Sequence, residues 1–187
     1  MKFDASIVQT RIQSPLGDML LAATHQGLAG AWFADQRHLP AALDFKNAQH
    51  AWPTQDSHPM LVDAARQLAE FFSGKRKAFD LALDINGGTL FQQSVWRALL
   101  KIPYGKTISY GSISQQIDNP TAVRAVGSAV GHNPLSLIVP CHRVLGGDGF
   151  LTGYAGGLHR KTALLELEGA TFQAELGSLA TPSASLF

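Results

Sequence analysis

A single cysteine, Cys141, stands in the string Pro140-Cys141-His142-Arg143-Val144, directly after the apolar run Leu137-Ile138-Val139. A thiol attacks as its thiolate. Burial behind an apolar run raises its pKa, whereas a neighbouring base or a helix N-terminus lowers it. His142 is adjacent in sequence, but consecutive side chains usually diverge, so a proton would pass between them through a bridging water. A carboxylate further on, Glu166 or Glu168, is available to orient the imidazole, which would complete a Cys–His–acid arrangement for nucleophilic catalysis. Lone cysteines are also among the most buried small hydrophobes. Spacing alone therefore leaves both readings open. A single cysteine does exclude an intramolecular disulfide and a cysteine-rich zinc site.

The elements that must position this string can be read coarsely. The chain has 187 residues, 45% of them hydrophobic and 16% charged, a globular balance that excludes a disordered chain or a coiled coil. No apolar run approaches the roughly 18 residues that span a membrane, and the N-terminus does not read as a signal peptide. Net charge is +1, distributed as −1 over residues 1–87 and +3 over 88–170. The second half could meet phosphate locally, but the chain is no polycation. Residues 17–23 and 28–33 predict a hairpin turning at His25-Gln26-Gly27. Residues 34–59 read as loop with a short helix. Pro59 to Ser73 has helical spacing and a stop at Gly74, and Phe79 to Leu83 alternates as a strand would. Asn86-Gly87-Gly88 breaks the chain, which places a domain boundary after residue 87.

The second half opens with Thr89 and Gln92 in capping-box spacing, followed by an apolar stripe of Phe91, Val95, Trp96, Leu99 and Leu100. A helix–turn–helix is expected next, its first helix about Tyr110–Ile117. Asn119 would cap a second helix running from Pro120 to Gly131. One face of that second helix carries Ala122, Val126 and Ala129. The other carries Arg124 among Thr121, Gly127, Ser128 and Gly131. Glycine inside a helix costs roughly 1 kcal/mol against alanine, so such a face suits close approach to another surface or tight helix packing. The glycines at 146–149 and 153–157 match no phosphate loop and read as turns. His159–Glu168 forms a last helix, and residues 171–187 read as a flexible tail. The fold class is α/β (α+β): a small N-terminal sheet with a helix over 1–87, then a mostly helical unit over 88–170.

With these blocks in place, the chain resembles the O6-alkylguanine-DNA alkyltransferases (methylated-DNA–protein-cysteine methyltransferases). The resemblance runs through Phe91-Gln92-x2-Val95-Trp96, Ile102-Pro103-Tyr104-Gly105-Lys106-Thr107, Ser109-Tyr110-Gly111, Arg124-Ala125-Val126-Gly127, Asn133-Pro134 and Pro140–Val144. It covers about residues 88–170 and is looser before them, at Ser14-Pro15-Leu16-Gly17. It implies repair by direct reversal, with Cys141 as alkyl acceptor, His142 as its base through a water, and Glu168 orienting His142. Asn133 would brace the active-site turn from the inner face of the second helix. Arg124 would enter the duplex through the minor groove and fill the space of an extruded nucleotide. Tyr110 would help extrude the base and donate a proton to departing guanine. Tyr154, the backbone near Ala155 and Val144, and Lys161 would form the pocket.

The implied partner is double-stranded DNA carrying O6-alkylguanine. The implied protein is a cytoplasmic monomer, used once per alkyl group, with no cofactor. Some members hold an N-terminal zinc built partly on cysteine. With no second cysteine here, no metal is expected, and His25, His38, His50 and His58 read as surface residues. Where some members carry Ser, this chain has Ala155, which removes a hydroxyl contact to the lesion. Non-catalytic lesion sensors of the same fold lack the acceptor cysteine. A helix–turn–helix regulator would need base-reading Arg, Asn or Gln on the glycine-serine face.

Overall fold

The computed structural model describes residues 1–43, 51–175 and 178–180. The N-terminal half is built on an antiparallel sheet in the order β1 (Val8–Ile12), β2 (Met19–Thr24), β3 (Gly27–Phe33). The expected hairpin is β2–β3. Strand β1 was not expected, because Val8 to Ile12 is only five residues with a charged Arg11 near its end. Helix α1 (Pro59–Phe72) lays Leu61, Ala64, Leu68, Phe71 and Phe72 against the sheet. Its apolar spacing made it legible, and it ends at Gly74, whose φ of 73° belongs to the left-handed region that favours glycine.

Residues 79–83 form no strand. They make one bridge, Leu28 with Leu83, because Ala82 O and Asp84 N both pair with Leu28 and the chain then turns away. In the loop before α1, Ala41–Leu43 forms one 3-10 turn.

The second half is helical. Helix α2 (Leu90–Leu99) starts from the capping box of Thr89 and Gln92. It ends one residue short of Leu100, which is 43% exposed and leaves the apolar stripe. Strand β4 (Ile108–Ser109) leads into α3 (Tyr110–Gln116), capped by the Ser109 side chain. Helix α4 (Val123–Gly131) is shorter than its pattern suggested. Asp118 adopts φ 55° and Ala122 N bonds Asn119 O, so Asn119 to Ala122 form a turn instead of a first helical turn. Thr121 therefore precedes the helix. Trp96 Nε1 donates to Ala129 O at 2.9 Å and ties α2 to α4.

Strand β5 (Val144–Leu145) pairs in parallel with β4. Helix α5 (Leu158–Leu167) then packs back on the turn at Cys141. Beyond it, β6 (Phe172–Glu175) and β7 (Ser178–Ala180) form an antiparallel pair. Within the tail expected from residue 171, residues 172–175 and 178–180 thus pair as strands. Phe172 supplies the reason: it is buried with Leu145, Leu165 and Ala170. The remainder of that expected tail, and His50, lie outside the described residues.

One apolar core runs through both halves, from Met19, Phe33 and Leu68 to Trp96, Val126, Val139 and Cys141. The ladder edge of β3 continues it: Ala31 N donates to Pro134 O and Ser136 N to Ala31 O, both at 2.8 Å. Among the described residues, no helix is long and apolar enough to cross a membrane.

Candidate active site and nucleic-acid interface

Cys141 opens a 3-10 turn, Cys141–Arg143, between the loop after α4 and strand β5. It is a free thiol, 5% exposed, beneath the apolar run that precedes it. Burial pushes its pKa up, opposed by the Asn133 amide and by the charge of Lys161.

Asn133 does not lie on the inner face of α4, as the long-helix reading had it. The helix stops at Gly131 with His132 as its cap, and Asn133 follows in the loop. There it is buried and spans the loop from inside. Its Oδ1 accepts from Leu135 N at 3.0 Å, and its Nδ2 donates to Val139 O at 2.8 Å and to Cys141 Sγ at 3.0 Å. Leu137, on the same loop, holds φ 70°, a costly conformation for leucine that the surrounding bonds maintain.

Behind the thiol, His142 is fully buried. Its Nε2 lies 2.9 Å from Glu168 Oε1. Glu168 is the C-cap of α5, and the alternative carboxylate, Glu166, makes no bond to the site. Arg143 fixes Glu168 through Nε to Oε2 and Nη2 to Oε1, both at 2.8 Å, and donates Nη1 to Ile102 O. Gly105 N adds a bond to Oε2 at 3.1 Å. At Gly105 a side chain is excluded: φ is 69°, and a Cβ would sit 2.8 Å from Glu168 O.

Glu168 is desolvated, which alone would raise its pKa. Hydrogen bonds and charge from His142 and Arg143 outweigh that and bring it down to about 2. A carboxylate so held only accepts hydrogen bonds. His142 must therefore carry its proton on Nε2, which leaves Nδ1 as a lone pair. Burial lowers the His142 pKa and favours the neutral imidazole. Nδ1 has no partner among the described residues. The result is a neutral imidazole with a basic nitrogen available for a proton.

Lys161 is buried and carries no acidic partner among the described residues. Its Nζ donates to Val144 O at 2.5 Å and Thr152 O at 3.1 Å, and burial lowers its pKa to about 8. Tyr154 is buried with its hydroxyl unpaired among the described residues, and burial raises its pKa. Tyr110, the first residue of α3, is half-buried. Its hydroxyl accepts from Thr152 Oγ1 at 3.1 Å, and burial again raises its pKa. The backbone near Val144 and Ala155, expected to face a base, is partly engaged: Val144 O holds Lys161, and Ala155 O accepts from Arg37 N at 3.0 Å. Each keeps a second lone pair.

Tyr110, Tyr154 and Ala155 share a cavity of about 370 Å³ with Gly127, Gly131 and Arg37. On the outer side of α4, Arg124 and Ser128 are exposed and Gly127 and Gly131 are partly so, and Thr121, in the turn before the helix, is exposed as well. Around the exposed Arg124 that face is made mostly of small residues, with Val123 exposed beside it.

Two contributors escaped sequence reasoning. Arg143 sits within the recognised string, but its pairing with Glu168 spans 25 positions and leaves no local signal. Arg37 lies in an irregular segment more than a hundred residues from Ala155, where periodicity carries no signal. Elsewhere, His25 lies beside Asp4 and Ser6, and His38 stacks on His132.

Comparison with known proteins gives a consistent result. Residues 7–85 match the family model "6-O-methylguanine DNA methyltransferase, ribonuclease-like domain", and residues 90–170 match "6-O-methylguanine DNA methyltransferase, DNA binding domain". The Mycobacterium tuberculosis methylated-DNA–protein-cysteine methyltransferase is 47% identical over 165 residues, 88% of this chain and 94% of that protein. The Methanosarcina barkeri protein of the same name is 46% identical over 84% of this chain and 94% of its own length. The crystal structure of Mycobacterium tuberculosis OGT in complex with DNA superposes with a TM-score of 0.77 at 46% identity, covering 86% of this chain and 92% of that one.

The chain belongs to the methylated-DNA–protein-cysteine methyltransferase family. Its reaction is the family's, DNA repair by transfer of an alkyl group to a cysteine.

Proposed function

We propose that Cys141 is the acceptor and that the substrate is O6-alkylguanine in duplex DNA, approached through the minor groove. The observation that carries this reading is the line Arg143–Glu168–His142, which leaves a neutral imidazole with an unpaired Nδ1 on the residue that follows the single thiol. A thiolate cannot reach the alkyl carbon of a stacked base in line, so the nucleotide must leave the duplex. The cavity of about 370 Å³ that Tyr110, Gly127, Tyr154 and Ala155 line supports that extrusion. Arg124 on the glycine-serine face fills the gap in the stack and offsets an unstacking cost of a few kcal/mol.

Proton and electron bookkeeping then closes. His142 Nδ1 takes the Cys141 proton through one water. The sulfur attacks the alkyl carbon, forming S–C as C–O6 breaks. Tyr110 gives its proton to the departing guanine and regains one from solvent, as His142 returns its own. Asn133 holds Sγ on line, and Lys161 opposes the cost of a buried thiolate. The thioether has no second nucleophile to remove it, so each chain acts once. The reading further assigns the protein to a reducing cytosol as a monomer.

The test is intact-protein mass before and after mixing with a duplex carrying one O6-methylguanine, followed by peptide mapping. One methyl on the Cys141 peptide, saturating at one per chain, is expected. Tight lesion binding with no mass change would instead make the protein a sensor. Continued turnover against excess DNA would make it a hydrolase.

A further inference from the structure

Besides the bonds of β3 to Pro134 and Ser136, the N-terminal half reaches the cavity through the turn after β3. After β3, Arg37 N donates to Ala155 O at 3.0 Å, and its side-chain Nη2 donates to Tyr154 O at 3.1 Å. These two bonds carry the guanidinium to the mouth of the cavity that Tyr110, Gly127, Gly131, Tyr154 and Ala155 line. A guanidinium has five N–H donors, and one is used here. Arg37 is exposed and makes no ion pair among the described residues, and the neighbouring Asp35 is taken by Arg160 at 2.8 Å. Next to it, His38 holds φ 63° and stacks on His132, the cap of α4, with ring centroids 4.2 Å apart. The turn is therefore anchored on both walls of the cavity, and its cation stands at the rim.

We propose that Arg37 binds the backbone phosphate beside the extruded nucleotide, which makes the N-terminal half part of the DNA interface. This rests on the reading of the cavity given above. An extruded nucleotide stays linked to the duplex on both sides, so with its base in the cavity the flanking phosphates stay at the mouth. There they meet Arg37 on one side and the α4 face bearing Arg124 on the other. A guanidinium tethered to a backbone carbonyl is already oriented and loses less freedom on gripping phosphate than an untethered side chain. The second role of Arg37, holding the Tyr154–Ala155 wall, needs no phosphate, and the experiment must separate the two.

Binding of the wild type, Arg37→Gln and Arg37→Lys to a lesion-bearing duplex is measured across a salt series. Transfer is timed in parallel on that duplex and on free O6-methylguanine base. A lost phosphate contact lowers the slope of log affinity against log salt by about 1. Arg37→Gln is expected to show that drop with a several-fold weaker affinity, Arg37→Lys is expected to retain the slope, and the duplex rate is expected to fall by a larger factor than the free-base rate. An unchanged slope in Arg37→Gln, or equal losses on duplex and free base, would overturn the proposal in favour of a wall-bracing role alone. Absence of transfer by the wild type would overturn the reading of Cys141 instead.

Discussion

Glu168 shows how one side chain's chemistry depends on several others. Its two oxygens accept from His142, twice from Arg143 and from Gly105, which leaves the carboxylate ionised and the imidazole tautomer determined. Glu168→Gln removes the charge and offers an amide donor towards His142 Nε2 and Arg143. We expect transfer to Cys141 to slow by about 100-fold or more, the scale of a lost general base, in single-turnover assays. The protein should still bind the lesion duplex. At Asn133 the expectation is structural. Asn133→Ala leaves Leu135 N without its partner inside a buried loop, while Val139 O keeps the Cys141 N–H. Such an orphan costs roughly 1–3 kcal/mol, so the urea midpoint should fall along with the rate. Of these residues, Cys141, His142, Glu168 and Asn133 were legible in the sequence, the last two through the family resemblance. The bonds between them were not, because hydrogen bonds across 25 or 26 positions leave no local pattern.

At the scale of elements, α4 trades helix stability for a bare surface. Gly127 lies in the helix interior, and a Cβ there would meet only the Tyr110 ring at an ordinary 3.9 Å. Gly127→Ala should therefore raise thermal stability, by up to about 1 kcal/mol on helix propensity. The same methyl projects from the face assigned to DNA, so affinity for duplex should drop. A variant that gains both stability and affinity would contradict the close-approach role. Arg124→Ala should slow repair of duplex far more than reaction with free O6-methylguanine base. Helix existence and type were readable from spacing for α1, α2, α3 and α5. The start of α4 was not, because Asn119-Pro120 is equally good turn chemistry, and the bond from Ala122 N to Asn119 O decides for the turn.

At the scale of the whole molecule, buried titratable groups couple folding to pH. Glu168 is held at about 2 against an ordinary 4.5, so its contribution is complete above the ordinary value and is lost as pH falls towards 2. His142 has a lowered pKa, so the unfolded chain takes up its proton first as pH falls below 6.5, which also costs stability. Lys161 is lowered from 10.5 to about 8, so the unfolded chain holds that proton longer and stability rises between those values. Urea midpoints across pH should show the acid loss, and on the alkaline side, where the raised Cys141 and Tyr154 oppose Lys161, Lys161→Met should lose stability more steeply than the wild type. The sequence by itself determined the chemistry on offer: one thiol, an adjoining imidazole, acids on a last helix, and a glycine-serine face around an arginine. These are matters of residue type and short spacing, which a chain carries in its local order. Tertiary structure decided which acid meets the imidazole, where Asn133 and Arg143 act, and that Arg37 reaches the cavity. Those outcomes depend on packing β3 and α5 against the Cys141 turn, and contacts between distant segments follow from burial of the shared core.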